Sequence, residues 1–181
     1  MKTILLVGSS IFEQWSNMKD FALGYTVKNR AIGGTTTSYW TEHLADVLTA
    51  ESPNAVLFYC GSNDINNGVL EENIIANVSQ CCKIVHGLSP VTAFAYFSII
   101  KAPQKSGKWE LIDRLSSSIR IGFPVDDLYV ETNDVFFGDR LPVDRFFVDG
   151  GLHLTSEAYA TLSAYARPLI SNWIGAGNMP R

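Results

Sequence analysis

The sequence predicts an α/β fold: a three-layer α/β/α sandwich around a five-stranded parallel sheet. Two observations carry that expectation. Short, almost wholly apolar runs alternate along the chain with longer amphipathic segments. The apolar runs end in Gly, Ser, Asn or Asp, residues that turn a chain. Strands alternating with helices imply parallel strands joined by right-handed crossovers. Parallel strands are buried on both faces, so they read as continuous apolar runs, not as alternating ones.

Each element follows from its own pattern. Thr3–Val7 is the first strand; its apolar core, Ile4 to Val7, falls short of the ~7–15 residues of a signal-peptide core, and no small-residue cleavage pattern follows. Ile11–Leu23 is expected to hold a short helix. Tyr25–Asn29 is the second strand. Ser38–Thr49 is a helix, because Trp40, Leu44, Val47 and Leu48 fall on one face at helical spacing. Ala55–Tyr59 is the third strand, Leu70–His86 a helix, and Thr92–Phe97 the fourth strand. Lys101–Gly107, "KAPQKSG", is expected to be an exposed loop before a helix at Lys108–Ile119. Leu128–Glu131 is the fifth strand. Ser156–Trp173 closes the chain as a helix, with Tyr159, Leu162, Tyr165, Ala166 and Leu169 on one face.

Composition narrows the function classes. At 181 residues, one domain spanning 1–181 is expected, with room for a sizeable core. Apolar residues are 46% and charged residues 18%, a folded rather than a disordered balance. Net charge is −4 and no Lys/Arg run stands out, so nucleic acid is not an expected partner. No apolar run approaches the ~20 residues of a membrane span. Three cysteines, two of them adjacent, argue against a disulfide framework and for a reducing, cytoplasmic setting. No dinucleotide or P-loop glycine motif and no metal-ligand spacing is evident, so no cofactor or metal is expected.

Open parallel sheets gather their sites beyond the carboxyl ends of the strands. After strand one comes "GSS", where Ser10 stands at the hand-over to a helix; a serine there can equally be a helix cap. After strand two, "NRAIGGTTTS" offers Gly33 and Gly34, free to adopt unusual dihedrals or to make an ordinary turn. After strand three, "GSND" offers Asn63, an amide for the mouth of the sheet or an Asx turn. After strand five, "DGGLHLTSEAY" carries Asp149 and His153 just before a helix start. His43 is expected to be a partly buried packing residue within a helix, and His86 to sit at a helix C-terminus. If the strand order is 2-1-3-4-5, Gly34, Ser10 and Asn63 line one wall. A hydroxyl, a base, an acid and oxyanion donors are what acyl transfer needs.

These four blocks, in this order, resemble the SGNH (GDSL-type) hydrolase superfamily over almost the whole chain. The resemblance implies a flavodoxin-like sandwich of strand order 2-1-3-4-5. It implies Ser10 as nucleophile, His153 as general base and Asp149 as orienting acid. The Ser10 N–H, Gly34 N–H and Asn63 amide would form the oxyanion hole. The sequence departs from the family pattern twice. Ser9 stands where the family's first block has Asp. Asp149 lies four residues before His153, where the family places its acid three before. Either Gly150–Gly151 absorb one extra residue, or the acid is displaced. The implied activity is hydrolysis of small or short-acyl esters, such as an O-acetylated carbohydrate or a lysophospholipid. An acyltransferase using the same site and a non-catalytic binding domain are the alternatives. Cys60 ends a strand near this site and is read as structural, because apolar burial suppresses a thiolate.

Overall fold

The computed structural model describes residues 2–16 and 24–175. Five parallel strands form one sheet: β1 (Lys2–Gly8), β2 (Tyr25–Asn29), β3 (Ala55–Tyr59), β4 (Ala93–Phe97) and β5 (Leu128–Val130). Their order is β2-β1-β3-β4-β5, so the chain reverses direction of growth between β1 and β3. The register sets Leu6 beside Asn29 and Gly8 beside Tyr59, which brings the carboxyl ends of these strands level.

The period of two divides the core. Ile4 and Leu6 of β1, Ala55 and Leu57 of β3, and Ala95 and Phe97 of β4 face one layer. There they meet Phe12 of the short helix α1 (Ser10–Glu13), Trp15 just after it, and Leu162, Ala166 and Ile170 of α7 (Ser156–Trp173). Leu5, Val7, Val56, Phe58, Phe94 and Tyr96 face the other layer. That layer is built from α2 (Thr37–Glu51), α4 (Glu71–Leu88) and α5 (Trp109–Ile121). Every residue of β3 and β4 is buried, and each such Val, Leu or Phe contributes about 1.5–3 kcal/mol relative to exposure. Among the described residues, no helix is long and apolar enough to cross a membrane.

The expected strands and long helices are present to within two residues at each end. Of the short helix expected over Ile11–Leu23, the structure shows α1, and residues 17–23 lie outside the described residues. Lys101–Gly107 departs from expectation. Pro103–Lys108 is a 3-10 helix, and Lys105 within it is only 2% exposed. Its ammonium donates to Asn66 Oδ1 at the end of α3 (Ser62–Asn66), so the Lys105 side chain is folded inward onto a neutral amide. The His153 loop does not follow β5 directly. A short helix α6 (Asn133–Phe136), a small hairpin of β6 (Phe137–Gly138) and β7 (Leu141–Pro142), and a 3-10 turn at Asp144–Phe146 come between. His43 is exposed rather than half-buried, stacked on Tyr39 with ring centroids 4.1 Å apart.

Candidate active site

The end of β1 has to turn sharply, and one residue makes that possible. Gly8 holds φ +131, and a Cβ there would lie 1.9 Å from the Tyr59 carbonyl oxygen. Only glycine fits that approach. The Ser9 N–H donates to the same carbonyl at 2.9 Å, and the Ser9 carbonyl accepts from Phe12 and Glu13. Ser10 is therefore the first residue of α1. Its N–H precedes the first helical turn and has no acceptor within the helix. Its hydroxyl is half-buried at the carboxyl edge of the sheet.

His153 reaches this hydroxyl from the far end of the sequence. Its Nε2 lies 3.1 Å from Ser10 Oγ, across 143 positions of chain. A tight loop presents it. The Val148 N–H donates to the His153 carbonyl at 3.0 Å, and Phe147 bridges Leu154 in antiparallel fashion. Between them the Gly151 N–H closes a turn onto the Val148 carbonyl at 2.9 Å. Gly150 has φ +94 at the third position of that turn, where a type II turn calls for glycine. Gly151 has φ +65, packs against Pro103, and gives its carbonyl to the Gln104 N–H at 3.0 Å. Thr155 then caps α7, accepting from the Ala158 N–H.

Asp149 occupies the second position of the same turn and is exposed. Among the described residues, no hydrogen bond joins it to His153. The structure thus brings Ser10 and His153 into contact and leaves Asp149 outside that contact.

The donor wall is assembled by a chain of hydrogen bonds. The loop after β2 is tied to β1, with the Ile32 N–H and the Thr35 hydroxyl both donating to the Gly8 carbonyl, at 2.9 and 3.1 Å. Gly34 is exposed with φ +79, and among the described residues its N–H has no protein acceptor. The half-buried Asn63 side chain donates one amide hydrogen to the Thr35 carbonyl at 2.9 Å. That fixes its plane and leaves the second hydrogen available. Ser10, Gly34 and Asn63 thus belong to one connected framework of loops.

Two supporting residues carried no assigned role from the sequence. Asp64, 1% exposed, accepts from the Thr37 N–H through both oxygens and from the Thr37 hydroxyl at 2.6 Å. From α3 it adds to the Thr36 cap at the start of α2, where the helix dipole favours a carboxylate, and locks the Gly34 loop against α3. Asn29 accepts from the Ala31 N–H and donates to the Phe12 carbonyl, joining the β2 loop to α1. Both lie inside the quoted blocks, so the signal was proximity to the site residues. Cys60 is fully buried, and burial raises its thiol well above the ordinary range, in keeping with a structural role.

The sequence profile of the GDSL-like lipase/acylhydrolase family matches residues 8–161. No curated protein matches the chain. Solved structures do. A Streptococcus pneumonia protein is 22% identical with a TM-score of 0.82, over 93% of this chain and 84% of its own. The lipase/acylhydrolase from Enterococcus faecalis is 18% identical with a TM-score of 0.76, over 95% and 96%. A carbohydrate esterase family 3 protein from Talaromyces cellulolyticus is 15% identical with a TM-score of 0.74, over 97% and 99%. At these identities the likeness speaks to the fold.

Proposed function

The chain belongs to the GDSL-like lipase/acylhydrolase family of ester-cleaving enzymes, and from that premise we propose that it hydrolyses small, short-acyl carboxylic esters through an acyl-enzyme on Ser10. The observation that carries this reading is the 3.1 Å contact between His153 Nε2 and Ser10 Oγ at the carboxyl edge of the sheet.

In the proposed reaction His153 takes the Ser10 proton as the hydroxyl oxygen attacks the ester carbonyl. The resulting oxyanion sits against the Ser10 N–H, the Gly34 N–H and the free amide hydrogen of Asn63. His153 passes its proton to the departing alcohol, and the acyl group stays on Ser10. Water, deprotonated by the same imidazole, then releases the acid. Asp149 is the orienting acid in this reading, acting from an exposed turn. Its contribution is expected to be smaller than that of a buried triad aspartate.

Short acyl groups are favoured because the site is open: Ser10 and His153 are half-buried and Gly34 is exposed. An O-acetylated carbohydrate suits such a site, and one neighbour in fold is a carbohydrate esterase. The free thiols of Cys60, Cys81 and Cys82 support a reducing, cytoplasmic setting.

A fluorophosphonate probe tests the nucleophile. Wild type is expected to be labelled and Ser10→Ala to remain unlabelled; folded wild type that resists labelling overturns the proposal. A p-nitrophenyl ester series tests the acyl preference. Acetate and butyrate esters are expected to give higher kcat/KM than long-chain esters, and the reverse order removes the short-acyl reading.

A further inference from the structure

Behind the catalytic edge, at the amino ends of β4 and β5, three ligand-type atoms converge. Cys82 and His86 stand four residues apart on α4, so they share one helix face. Asp127 directly precedes β5. Cys82 Sγ lies 3.2 Å from Asp127 Oδ2, and His86 Nε2 lies 2.8 Å from that same oxygen. All three ligand atoms fall within 4.8 Å of one another. We infer that Cys82, His86 and Asp127 form a binding site for one Zn²⁺ ion, structural in role and separate from the ester-cleaving site.

The surroundings of Asp127 support this more than a plain hydrogen-bond knot would require. Its other oxygen, Oδ1, accepts from the Phe94 N–H at 3.2 Å, and its own N–H is held by the Pro124 carbonyl at 3.2 Å. The carboxylate is therefore fixed from behind, with Oδ2 turned toward the sulfur and the imidazole. Ligands oriented by a second layer of hydrogen bonds are the usual arrangement in metal sites. A sulfur, a nitrogen and a carboxylate oxygen make a set that zinc accepts, with a fourth position open to water.

Charge and protons balance. On binding, Cys82 releases its thiol proton to solvent. The proton between His86 Nε2 and Asp127 Oδ2 is given up to solvent as the ion takes its place, and the imidazole, neutral with its proton on Nδ1, offers the Nε2 lone pair. One thiolate and one carboxylate then neutralise the two positive charges of the ion, which offsets the cost of placing it beside the core. Access is open, because the His86 side chain is 35% exposed. Cys82 also lines a pocket of about 250 Å³ with Val78, Ile119 and Phe123. Bound zinc would clamp the last turns of α4 to the β4–β5 edge of the sheet.

The test uses the purified full chain, stripped of metal, titrated with zinc chloride and separately with cobalt chloride. The expected result is one zinc per chain, a higher unfolding temperature with zinc, and a thiolate-to-cobalt charge-transfer band. Cys82→Ser is expected to abolish that band. His86→Gln, at a half-exposed position, is expected to weaken zinc binding by at least ~10-fold. Wild type that binds no more tightly than His86→Gln, or a cobalt band that survives Cys82→Ser, overturns the inference. Ester hydrolysis is expected to be unchanged in His86→Gln, so failure here leaves the catalytic reading untouched.

Discussion

Asn63 and Asp149 show how differently two polar residues near one histidine and one serine are held. Asn63 is fixed by its bond to the Thr35 carbonyl, so its amide plane is held in place, as the proposed oxyanion role requires. Preorganised donors of this kind stabilise the transition state more than the ground state. Asn63→Ala is expected to lower kcat by ~10²–10³, with a smaller change in KM, as measured with a short-chain p-nitrophenyl ester. Asp149 is exposed and lies outside the Ser10–His153 contact. Losing a triad aspartate costs about 10⁴ in the serine-protease case. Asp149→Ala is expected to cost clearly less, and a full 10⁴ loss would show that Asp149 closes onto His153 when substrate binds. The aspartate was readable as a motif member, but its reach was not. One extra residue and two glycines with positive φ set where its carboxylate lies, and pattern alone does not specify that.

At the scale of elements, the site depends on how loops are tied to one another. α2 begins at Thr37: Thr36 caps it through the Tyr39 N–H, and Asp64 of α3 adds a second acceptor, for the Thr37 N–H. The carboxylate satisfies the Thr37 N–H and hydroxyl, and Asn77 of α4 donates to that hydroxyl at 3.0 Å. Asp64→Ala leaves these buried donors without their acceptor. It is expected to lower unfolding stability by about 1.5–3 kcal/mol in a urea titration, the range for hydrogen bonds to a charged group. It should also lower kcat, because the Gly34 loop loses its anchor to the Asn63 loop. A variant as stable as wild type would show that the cap is redundant. The long helices were legible because each has a face that repeats at helical spacing. The 3-10 helix at Pro103–Lys108 was not, because the partners that hold it lie far off in the sequence: Asn66, 39 residues from Lys105, and the Gly151 carbonyl, which accepts from the Gln104 N–H.

At the scale of the whole molecule, charge pairs join the edges of the layers. Glu51, near the end of α2, accepts from Lys28 and Arg30 on the β2 side, each at 2.6 Å. Those hydrogen bonds hold its carboxyl below the ordinary value of 4.5. A depressed carboxyl stabilises the fold above its unfolded value and loses that contribution as pH falls through the folded one. Wild type is therefore expected to unfold at higher temperature than Glu51→Gln at neutral pH, with the gap closing on acidification below about 4.5 and shrinking in high salt. A gap that persists in acid would assign the effect to packing. The sequence by itself determined the layer order and the four loops from which the proposed site is drawn. Periods of two and 3.6 and the turn residues are local properties, and parallel crossovers bring the strand ends together whatever the side chains. Only the tertiary structure decided which atoms meet: His153 on Ser10 across 143 residues, Asp64 under α2, and Asp127 against Cys82 and His86 across 45 and 41. Those contacts depend on how the packed layers set the height and rotation of each loop, and no stretch of sequence encodes them alone.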